Sequence, residues 1–290
     1  MQKCLITGAT GLVGQSLLPK LAQKYEVISL GKTQPSNYIT QHVAVDFSSD
    51  WDIQQLPEKV DLIIHLAQSA HFRDFPGKAS QVFYTNTLST MKLLDYAHQA
   101  GVSKFMYASS GGVYGKGNQL FGEEATIVSN NQLGFYLGTK LSSEVLLESY
   151  QSFFDIDVLR FFFVYGEHQQ QNMLIPRLIN SVQQGLPITL QGEEGLKINP
   201  IYVEDATDAL MALTTKTGYN QINIAGNEVL SLKQIAEIIQ EVTHQKAVFQ
   251  YAEGEVQHLM ADTSKMHRLA TKPTTSFAKG VKILVENKTS

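Results

Sequence analysis

The chain has 290 residues, 43% of them hydrophobic and 17% charged, with a formal net charge of -4. This length allows one large α/β domain or two smaller ones, and the weakly acidic balance excludes a strongly basic nucleic-acid-binding protein. A single cysteine, Cys4, excludes an intrachain disulfide, and no run of about 20 apolar residues is available to cross a membrane. Because no secretory leader precedes the first strand-like run, we expect a cytoplasmic protein.

The first half of the chain alternates short apolar strands with helices. In chain order, the pattern predicts a strand at 4–6, a helix at 11–24, strands at 27–30 and 62–66, a helix at 83–100, a strand at 104–108, a helix at 134–150 and a strand at 157–161. Apolar strands that alternate with longer helices are typical of a parallel sheet covered on both faces. We therefore predict an α/β doubly wound parallel sheet, a Rossmann fold, with its ligand crevice at the carboxyl ends of the strands.

After Gly166 this alternation ends. A polar loop at 168–172 leads into a predicted helix at 174–184, and an amphipathic helix is predicted at 232–242 with Ser231 as its N-cap. We predict a nucleotide-binding domain at 1–165 and a smaller C-terminal α/β substrate lobe at 166–290, with some segments crossing back. The lobe is expected to close over the crevice.

A glycine-rich turn, TGATGLVG at 7–14, follows the first predicted strand directly. Gly8 permits a tight turn, Gly11 allows the backbone to approach a diphosphate, and Gly14 allows the helix to pack closely on the sheet. The first turn of the helix, which contains Leu12 and Val13, offers backbone N–H groups and a positive dipole end to phosphates. The turn therefore predicts a dinucleotide site.

The end of the second predicted strand indicates which dinucleotide is bound. Leu30 is followed by Gly31, Lys32 and Thr33, with no acidic residue that would bind a ribose 2′-hydroxyl and repel a 2′-phosphate. Lys32 and Thr33 could instead hold such a phosphate. The sequence therefore favours NADP(H) and leaves NAD(H) open, with Lys32 then an ordinary surface lysine.

Tyr136, Lys140 and a serine at the end of a predicted strand form a candidate catalytic set. Tyr136 and Lys140 lie one helical turn apart on the same helix face, and a lysine cation near the cofactor's nicotinamide charge favours the phenolate form of tyrosine. Lys140 could also bind the nicotinamide ribose. Ser109 and Ser110 follow a predicted strand at its carboxyl end, where a hydroxyl could meet the same carbonyl as the phenol. The combination predicts hydride transfer between a carbonyl and an alcohol.

Together these motifs resemble the extended short-chain dehydrogenase/reductase family and, within it, the nucleotide-sugar epimerase/dehydratase branch. The resemblance covers nearly the whole chain and is carried by TGATGLVG, by His65-Leu66-Ala67 and Asn86, by SSGGVYG at 109–115, YLGTK at 136–140 and LRFFFVYG at 159–166, and by Pro176, NPIYVEDA at 199–206 and ADTSK at 261–265. The resemblance implies that Tyr136 is the acid/base, that Lys140 is its partner and a ribose ligand, and that Ser110 bonds the substrate oxygen.

The resemblance also implies cofactor contacts and an assembly. The three glycines of the turn would hold the diphosphate, and Asp46 and Phe47 would lie beside the adenine. Leu66, Ala67 and Asn86 would line the cofactor groove. In this family the helices that hold Asn86 and Tyr136 often pair across a dimer as a four-helix bundle, so a homodimer is implied.

Several positions depart from the family pattern. Gln68 stands where a small residue commonly follows HLA, and Phe163 replaces the asparagine usual before VYG, with packing as its alternative role. The tail at 252–255 carries acidic residues where relatives have an arginine for the substrate's diphosphate, and Arg177, Lys197 or His258 could compensate. The predicted substrate contacts are Gln68, Ser110, Phe163, Asn172, Arg177, Lys197 and Asn199.

These observations leave three functions to compare. The first is an NAD(P)-dependent epimerase or ketoreductase acting on a nucleotide-linked sugar, and the second is an NADP-dependent reductase of a small non-nucleotide carbonyl compound. The third, a non-enzymatic cofactor-binding scaffold, is opposed by the intact catalytic set. Gly111 and Gly112 stand where dehydratases of this branch carry an Asp-Glu pair, which opposes dehydration. No metal site, nucleic-acid partner or membrane partner is predicted.

Overall fold

The structure is a computed structural model that describes residues 1–127 and 133–287, so the end of the predicted lobe, 288–290, lies outside the described residues. In chain order, its strands are β1 (Gln2–Thr7), β2 (Tyr25–Gly31), β3 (Gln41–Ala44), β4 (Leu62–His65), β5 (Lys104–Ser110), β6 (Leu120–Phe121), β7 (Asp155–Phe161), β8 (Val164–Tyr165), β9 (Pro187–Gln191), β10 (Lys197–Ile198), β11 (Ile201–Tyr202), β12 (Tyr219–Ile224), β13 (Leu230–Ser231), β14 (Val248–Ala252) and β15 (Met260–Ala261). Its helices are α1 (Leu12–Leu21), α2 (Ala79–Phe83), α3 (Ser89–Gln99), α4 (Gly134–Glu148), α5 (Leu174–Gln183), α6 (Val203–Leu213), α7 (Leu232–Thr243), α8 (Ser264–Leu269) and α9 (Phe277–Glu286).

Seven of the described strands form one sheet in the order β12-β7-β5-β4-β1-β2-β3. β1 pairs in parallel with β2 on one side and with β4 on the other, so that Thr7 lies opposite both Leu30 and His65. The strand order reverses between β1 and β4, which is where ligands bind in open α/β sheets. The predicted doubly wound sheet is confirmed. The segments that follow Thr7, Leu30 and His65 leave the sheet at the same edge.

The strands are apolar because both faces of the sheet are covered. Leu5, Ile28, Ile63, Phe105 and Val158 come from five different strands, are each at most 1% exposed, and belong to one hydrophobic cluster. Strands buried on both faces have continuous apolar runs rather than alternating ones. This is why runs as short as 4–6 and 62–66 could be identified from the sequence.

The helix predicted at 83–100 has a more complex form. It begins earlier, as α2, passes through a π-helical turn at Tyr84–Leu88, and continues as α3. Around the π-turn, the hydroxyl of Ser89 donates to the Tyr84 carbonyl and that of Thr90 donates to the Asn86 carbonyl. Hydroxyl groups that bond to backbone carbonyls compete with regular helical hydrogen bonds, and π-turns often mark functional positions.

The chain divides into two compact units, apart from residues 128–132 and 288–290, which lie outside the description. The first unit contains 1–113, 127–160 and 210–222, and the second contains 114–126, 161–209 and 223–290. The predicted boundary at 165/166 differs from this division because 210–222 returns to supply most of β12 to the sheet beside β7. Conversely, the short segment 114–126 precedes the predicted boundary but belongs to the second unit.

The second unit contains four short two-stranded sheets, β10-β13, β11-β8, β14-β9 and β15-β6, together with helices. The helix predicted at 232–242 is present as α7. Its N-cap is Ser231, whose hydroxyl accepts from the Gln234 N–H at 3.1 Å while the Gln234 side chain accepts from the Ser231 N–H at 2.9 Å. This capping box confirms the predicted start of the helix.

Candidate active site

The glycine-rich turn joins β1 to α1 and is closely packed. Gly8 has a φ of 68°, which glycine adopts without strain, and a Cβ added to it would lie 2.8 Å from the backbone of Ala67. A Cβ added to Gly14 would lie 2.3 Å from the Gly8 carbonyl oxygen. Gly14 therefore lets α1 pack closely on the turn itself.

Helix α1 begins after Gly11, and no side chain caps its first turn. Gly11 is exposed, and Leu12 and Val13 are partly exposed. An uncapped helix N-terminus presents backbone N–H groups and the positive end of the helix dipole to an anion. The turn thus fits the diphosphate of a dinucleotide, and side chains larger than hydrogen at Gly8 or Gly14 would disrupt it.

A cavity of about 450 Å³ lies in the first unit, beside the residues that follow β2, β3 and β4. Its walls include four residues predicted to bind the cofactor and one predicted to contact the substrate: Lys32, Asp46, Phe47, Ala67 and Gln68. The other lining residues are Val45, Ser48, Ser69, Ala70, His71, Lys78, Gln81 and Thr85. The parallel strands bring these segments together although they are far apart in the sequence.

Lys32 and Asp46 form an ion pair in this cavity, with 2.8 Å between the Lys32 Nζ and an Asp46 oxygen. The Asp46 carboxylate also accepts from the Ser48 hydroxyl at 2.6 Å. The hydrogen bonds from Lys32 and Ser48 lower the pKa of Asp46 to about 2, so it is charged at neutral pH. This partner of Lys32 was not predicted from the sequence; the pairing of β2 with β3 brings Asp46 beside the lysine.

The side chain of Tyr136 lies near the start of α4 and is partly buried. Its hydroxyl donates a hydrogen bond of 2.9 Å to the Gln68 Oε1, and its ring packs against Phe72 at a centroid distance of 5.4 Å. Burial raises the pKa of Tyr136 to about 12. The lowering expected from Lys140 together with the cofactor's nicotinamide charge stays a prediction.

Lys140 is buried and directs its Nζ to the Ala108 carbonyl of β5, at 2.7 Å. The same Nζ lies 5.0 Å from the centre of the Tyr107 ring, a cation–π distance. Burial lowers the pKa of Lys140 to about 7, against an opposing effect of the Glu144 carboxylate. Lys140 is therefore poised between its charged and neutral forms near neutral pH.

A buried polar network that sequence reasoning missed lies one turn further along α4. The Glu144 carboxylate accepts from the Arg160 Nη2 at 2.7 Å, from the Arg160 Nε at 3.2 Å, and from the hydroxyl of Ser109. Glu144 and Arg160 are 3% and 1% exposed. Since Lys140 bonds to Ala108 and Glu144 bonds to Ser109, successive turns of α4 are fixed to successive residues of β5. The sequence did contain a signal for this network, because Arg160 is a charged residue within the apolar run of β7.

Asn86 is fully buried, and its amide bonds within the protein instead of lining the cavity. Its Oδ1 accepts from the Ser69 N–H at 2.9 Å and its Nδ2 donates to the Thr139 hydroxyl at 3.0 Å. It therefore connects the loop after β4 to α4. Ser69 and Thr85 line the cavity, whereas Asn86 is not among its lining residues, so its place in the cofactor groove stays a prediction.

His65, used in the sequence only as part of a motif, lies in a buried hydrogen-bonded chain. Its Nδ1 is 2.6 Å from the Thr7 hydroxyl and its Nε2 is 3.1 Å from the Thr90 hydroxyl. Burial, with a further effect of Lys140, lowers its pKa to about 3. His65 is therefore neutral at physiological pH and holds the end of β4 to β1. Leu66, also predicted to line the groove, packs its backbone against Gly8.

Ser110 lies at the last position of β5, which ends two residues later than the strand predicted at 104–108, and its hydroxyl accepts from the Gly112 N–H at 3.1 Å. A Cβ added to Gly112 would lie 2.8 Å from the Leu137 side chain, next to Tyr136 in α4. The segment after Ser110 thus packs tightly on the helix that carries Tyr136. There is no room at Gly112 for a carboxylate side chain without movement of Leu137.

The remaining predicted substrate contacts lie in the second unit. Asn172 and Arg177 are exposed, in the loop before α5 and on α5. Lys197 is exposed on β10, and its backbone N–H donates to the His258 Nδ1 at 3.1 Å. Burial lowers the pKa of His258, so this ring is neutral and fixed to the backbone. It is therefore a poor replacement for the arginine that relatives carry.

Two other predicted substrate residues have local structural roles. Asn199 is 2% exposed; its Nδ2 donates to the Ala261 carbonyl at 3.0 Å and its Oδ1 accepts from the Ala261 N–H at 2.8 Å. Both ends of its amide therefore hold β15, and a contact of Asn199 with substrate stays a prediction. Phe163 has a φ of 41°, a left-handed conformation that asparagine tolerates better than phenylalanine. This accounts for the asparagine usual at that position.

Within residues 1–127 and 133–287, no cluster of three or more His, Cys, Asp or Glu side chains has the arrangement of a metal site. None of the helices in that part of the chain is both long enough and apolar enough to cross a membrane.

Comparison with known proteins identifies the family of this arrangement. Residues 4–225 match the model of the NAD dependent epimerase/dehydratase family. The chain is 28% identical to an uncharacterized UDP-glucose epimerase of Bacillus subtilis, over 96% of this chain and 95% of that protein. It is 29% identical to a UDP-glucuronate 4-epimerase of Thermodesulfobacterium geofontis, over 77% of this chain and 71% of that protein.

Solved structures give the same result. The UDP-glucuronic acid 4-epimerase of Bacillus cereus, in complex with UDP-glucuronic acid and NAD, superimposes with a TM-score of 0.85 at 25% identity, and the match covers 97% of each chain. The family model matches most of the chain and includes the glycine turn, Tyr136 and Lys140. The resemblance inferred from the motifs is confirmed: the chain belongs to the NAD-dependent epimerase/dehydratase family.

Proposed function

We propose that this chain is an NAD-dependent epimerase that acts on a nucleotide-linked sugar. The observation that carries the proposal is the placement of Tyr136, whose hydroxyl reaches a residue of the same cavity that Asp46, Phe47 and Ala67 line. Relatives named as UDP-sugar epimerases support the substrate class. They do not support the alternative, a reductase of a small non-nucleotide carbonyl compound, and a non-enzymatic scaffold would not need the catalytic set.

Epimerisation is favoured over dehydration by the residues at 111 and 112. Dehydration needs an additional acid and base to remove water from the sugar, and Gly111 and Gly112 supply neither. We therefore assign the proton transfer to Tyr136. Between the two outcomes left open by the sequence, epimerisation and net reduction, the names of the relatives favour epimerisation.

We assign the chain's own chemistry to three residues. Tyr136 exchanges a proton with the sugar hydroxyl, a transfer worth roughly 10²–10⁴-fold in rate. Lys140, which is fixed to Ala108, provides a cation whose charge is adjustable near neutral pH, and we assign it to the ribose and to the phenol. Ser110 offers a hydroxyl at the end of β5 to the substrate oxygen. The cofactor, when bound, supplies hydride exchange with the sugar carbon.

We propose NAD as the cofactor and not NADP, the cofactor that the sequence favoured. Gly8, Gly11 and Gly14 would hold the diphosphate, and Asp46 and Phe47 would lie at the adenosine end. Lys32 is paired with Asp46, whose carboxylate stays charged at neutral pH, so the pair offers no net positive charge to a 2′-phosphate. Solved neighbours carry NAD. Titration calorimetry should show tighter binding of NAD than of NADP. Asp46→Asn should narrow this difference in affinity between the two cofactors.

A homodimer remains a proposal, supported by apolar side chains on the surface of the first unit. Phe83 on α2, Met91 on α3 and Val145 on α4 are exposed. These elements include the helices that the family resemblance assigns to a dimer. Analytical ultracentrifugation should find a dimer that Val145→Glu converts to monomer, whereas Glu148→Gln on the same helix should remain dimeric. A monomeric wild type would refute the proposal.

The function is tested with a ligand and substrate panel. UDP-, GDP- and dTDP-linked sugars are compared by thermal shift in the presence of NAD, and those that stabilise the protein are incubated and analysed by NMR for a new epimer. We expect a UDP-linked sugar to be epimerised by the wild type and by Tyr38→Phe, whose tyrosine is exposed. Tyr136→Phe should bind but not turn over. Stabilisation by none of the nucleotide sugars would contradict the proposal.

A further inference from the structure

The side chain of Gln68 contacts the hydroxyl of Tyr136, the atom to which the proposed function assigns the proton transfer. The Gln68 Oε1 accepts a hydrogen bond of 2.9 Å from that hydroxyl. Gln68 is exposed in the wall of the 450 Å³ cavity, so this contact is accessible to a ligand. The small residue commonly found at this position in the family has no group that could make the contact.

Buried hydrogen bonds on both sides fix the position of Gln68. Before it, the Ala67 N–H donates to the Thr7 hydroxyl at 3.0 Å; after it, the Ser69 N–H donates to the Asn86 Oδ1 at 2.9 Å. The same Asn86 donates to Thr139 in α4 at 3.0 Å. The backbone at Gln68 is therefore connected to the helix that carries Tyr136, which sets the separation of the two side chains.

The loop after Gln68 holds the tyrosine from a second direction. Phe72 packs on the Tyr136 ring, and the Arg73 guanidinium lies 4.8 Å from the centre of the Phe72 ring. The charged or titratable groups nearest the phenol are Lys140, one turn along the same helix, Tyr107 on β5, and Arg73 with the His71–Asp74 pair in the loop. Within the described residues, Gln68 is the side chain that bonds directly to the hydroxyl.

We propose that Gln68 is a further catalytic residue, which retains the proton on Tyr136 until a ligand takes its place. A neutral hydrogen-bond acceptor stabilises the O–H form of a phenol and does not stabilise the phenolate, so it disfavours loss of the proton. Tyr136 is thereby kept as the acid. Before it can take the sugar hydroxyl's proton, the hydrogen bond to Gln68 must break and the phenol's own proton must pass to the solvent of the cavity. This inference rests on the proposed function for its catalytic meaning, but not for the proton-retaining contact itself.

The contact is tested by titrating Tyr136 directly in the NAD-saturated protein. The tyrosinate absorbance of each protein is measured against pH, and the same variant carrying Tyr136→Phe is subtracted, with circular dichroism marking the range in which the protein stays folded. Gln68→Met keeps the bulk and removes the acceptor, so its midpoint should fall by about 0.5–1 pH unit. Gln68→Glu substitutes a charged acceptor, so its midpoint should rise. The exposed Gln54→Met should leave the midpoint unchanged.

Opposite shifts in the Met and Glu variants would not result from a merely structural role for Gln68. The acidic limb of kcat/KM against pH should move in the same directions as the midpoints. An unchanged midpoint in Gln68→Met would overturn the proposal, because it would mean that the amide turns over and supports both forms of the phenol equally. If the midpoints shift but no nucleotide sugar is turned over, the proton-retaining contact is supported and the proposed function fails separately.

Discussion

Replacing Glu144 with glutamine removes one charge from a buried ion pair and leaves the shape of the side chain nearly unchanged. Arg160 would remain 1% exposed, with its Nε and Nη2 facing a neutral amide instead of a carboxylate. Breaking a buried pair by neutralising one partner typically costs about 3–5 kcal/mol of unfolding free energy. For a chain of this size, that corresponds to a fall in Tm of roughly 6–10 °C.

The assay for this change is urea unfolding followed by tryptophan fluorescence. The only tryptophan of the chain, Trp51, is buried in the hydrophobic cluster of the first unit. Glu144 and Arg160 lie in the same unit, so the fluorescence of Trp51 reports its unfolding. Glu148→Gln, exposed one turn further along α4, is the matched control and should change stability by less than about 0.5 kcal/mol. The double variant Glu144→Met/Arg160→Met should recover much of the loss, because no buried charge is left unpaired. A loss below about 1 kcal/mol in Glu144→Gln, or a double variant less stable than the single one, would refute this reasoning.

Three further predictions follow from other parts of the first and second units. Gly14→Ala should lose about 1–3 kcal/mol of stability and weaken NAD binding in calorimetry, because its Cβ would meet the Gly8 carbonyl oxygen at 2.3 Å; Gly122→Ala, with nothing within 4 Å, is the control. The wild type should lose stability as pH falls from about 6.5 toward 3, because burial lowers the folded pKa of His65 to about 3 and the unfolded chain binds the proton first; His65→Asn should show a shallower fall above the range in which carboxylates titrate. Phe163→Asn should stabilise the protein by about 1 kcal/mol in urea unfolding by relieving a φ of 41°.

Each of these three has a contradicting result. NAD binding that is unchanged in Gly14→Ala would show that the turn is not part of the cofactor site. An equal slope of stability against pH in the wild type and the His65 variant would show that another group takes up the proton. A Phe163→Asn variant less stable than the wild type would show that ring packing outweighs the backbone strain.

The features that were predictable from the sequence are those set by local patterns. The strands of the sheet have continuous apolar runs because both of their faces are covered. The turn needs glycine at Gly8 and Gly14 because a Cβ at either position would clash with neighbouring backbone atoms. Ser231 caps α7 because its hydroxyl and the Gln234 side chain lie within one turn of each other. In each case the partners are close in sequence or the pattern repeats along one element.

The features that were missed depend on which distant residues meet. Lys32 looked available for a phosphate until the pairing of β2 with β3 placed Asp46 beside it. Asn199 matched a family motif, but its amide is engaged by Ala261, which lies 62 residues further along the chain. Lys140 is near Tyr136 in sequence, but its Nζ bonds to Ala108 of β5, and burial raises the tyrosine pKa.

The central claim, epimerisation through Tyr136 with the hydride returned to the same sugar, is tested most directly with a deuterium-labelled substrate. A UDP-linked sugar carrying deuterium at the carbon that is inverted is incubated with the NAD-saturated protein, and the product is analysed by NMR and mass spectrometry. We expect a new epimer that retains the label, no accumulation of NADH, and a rate at least about 10²-fold lower in Tyr136→Phe. Loss of the label to solvent, net formation of NADH, or full activity in Tyr136→Phe would contradict it.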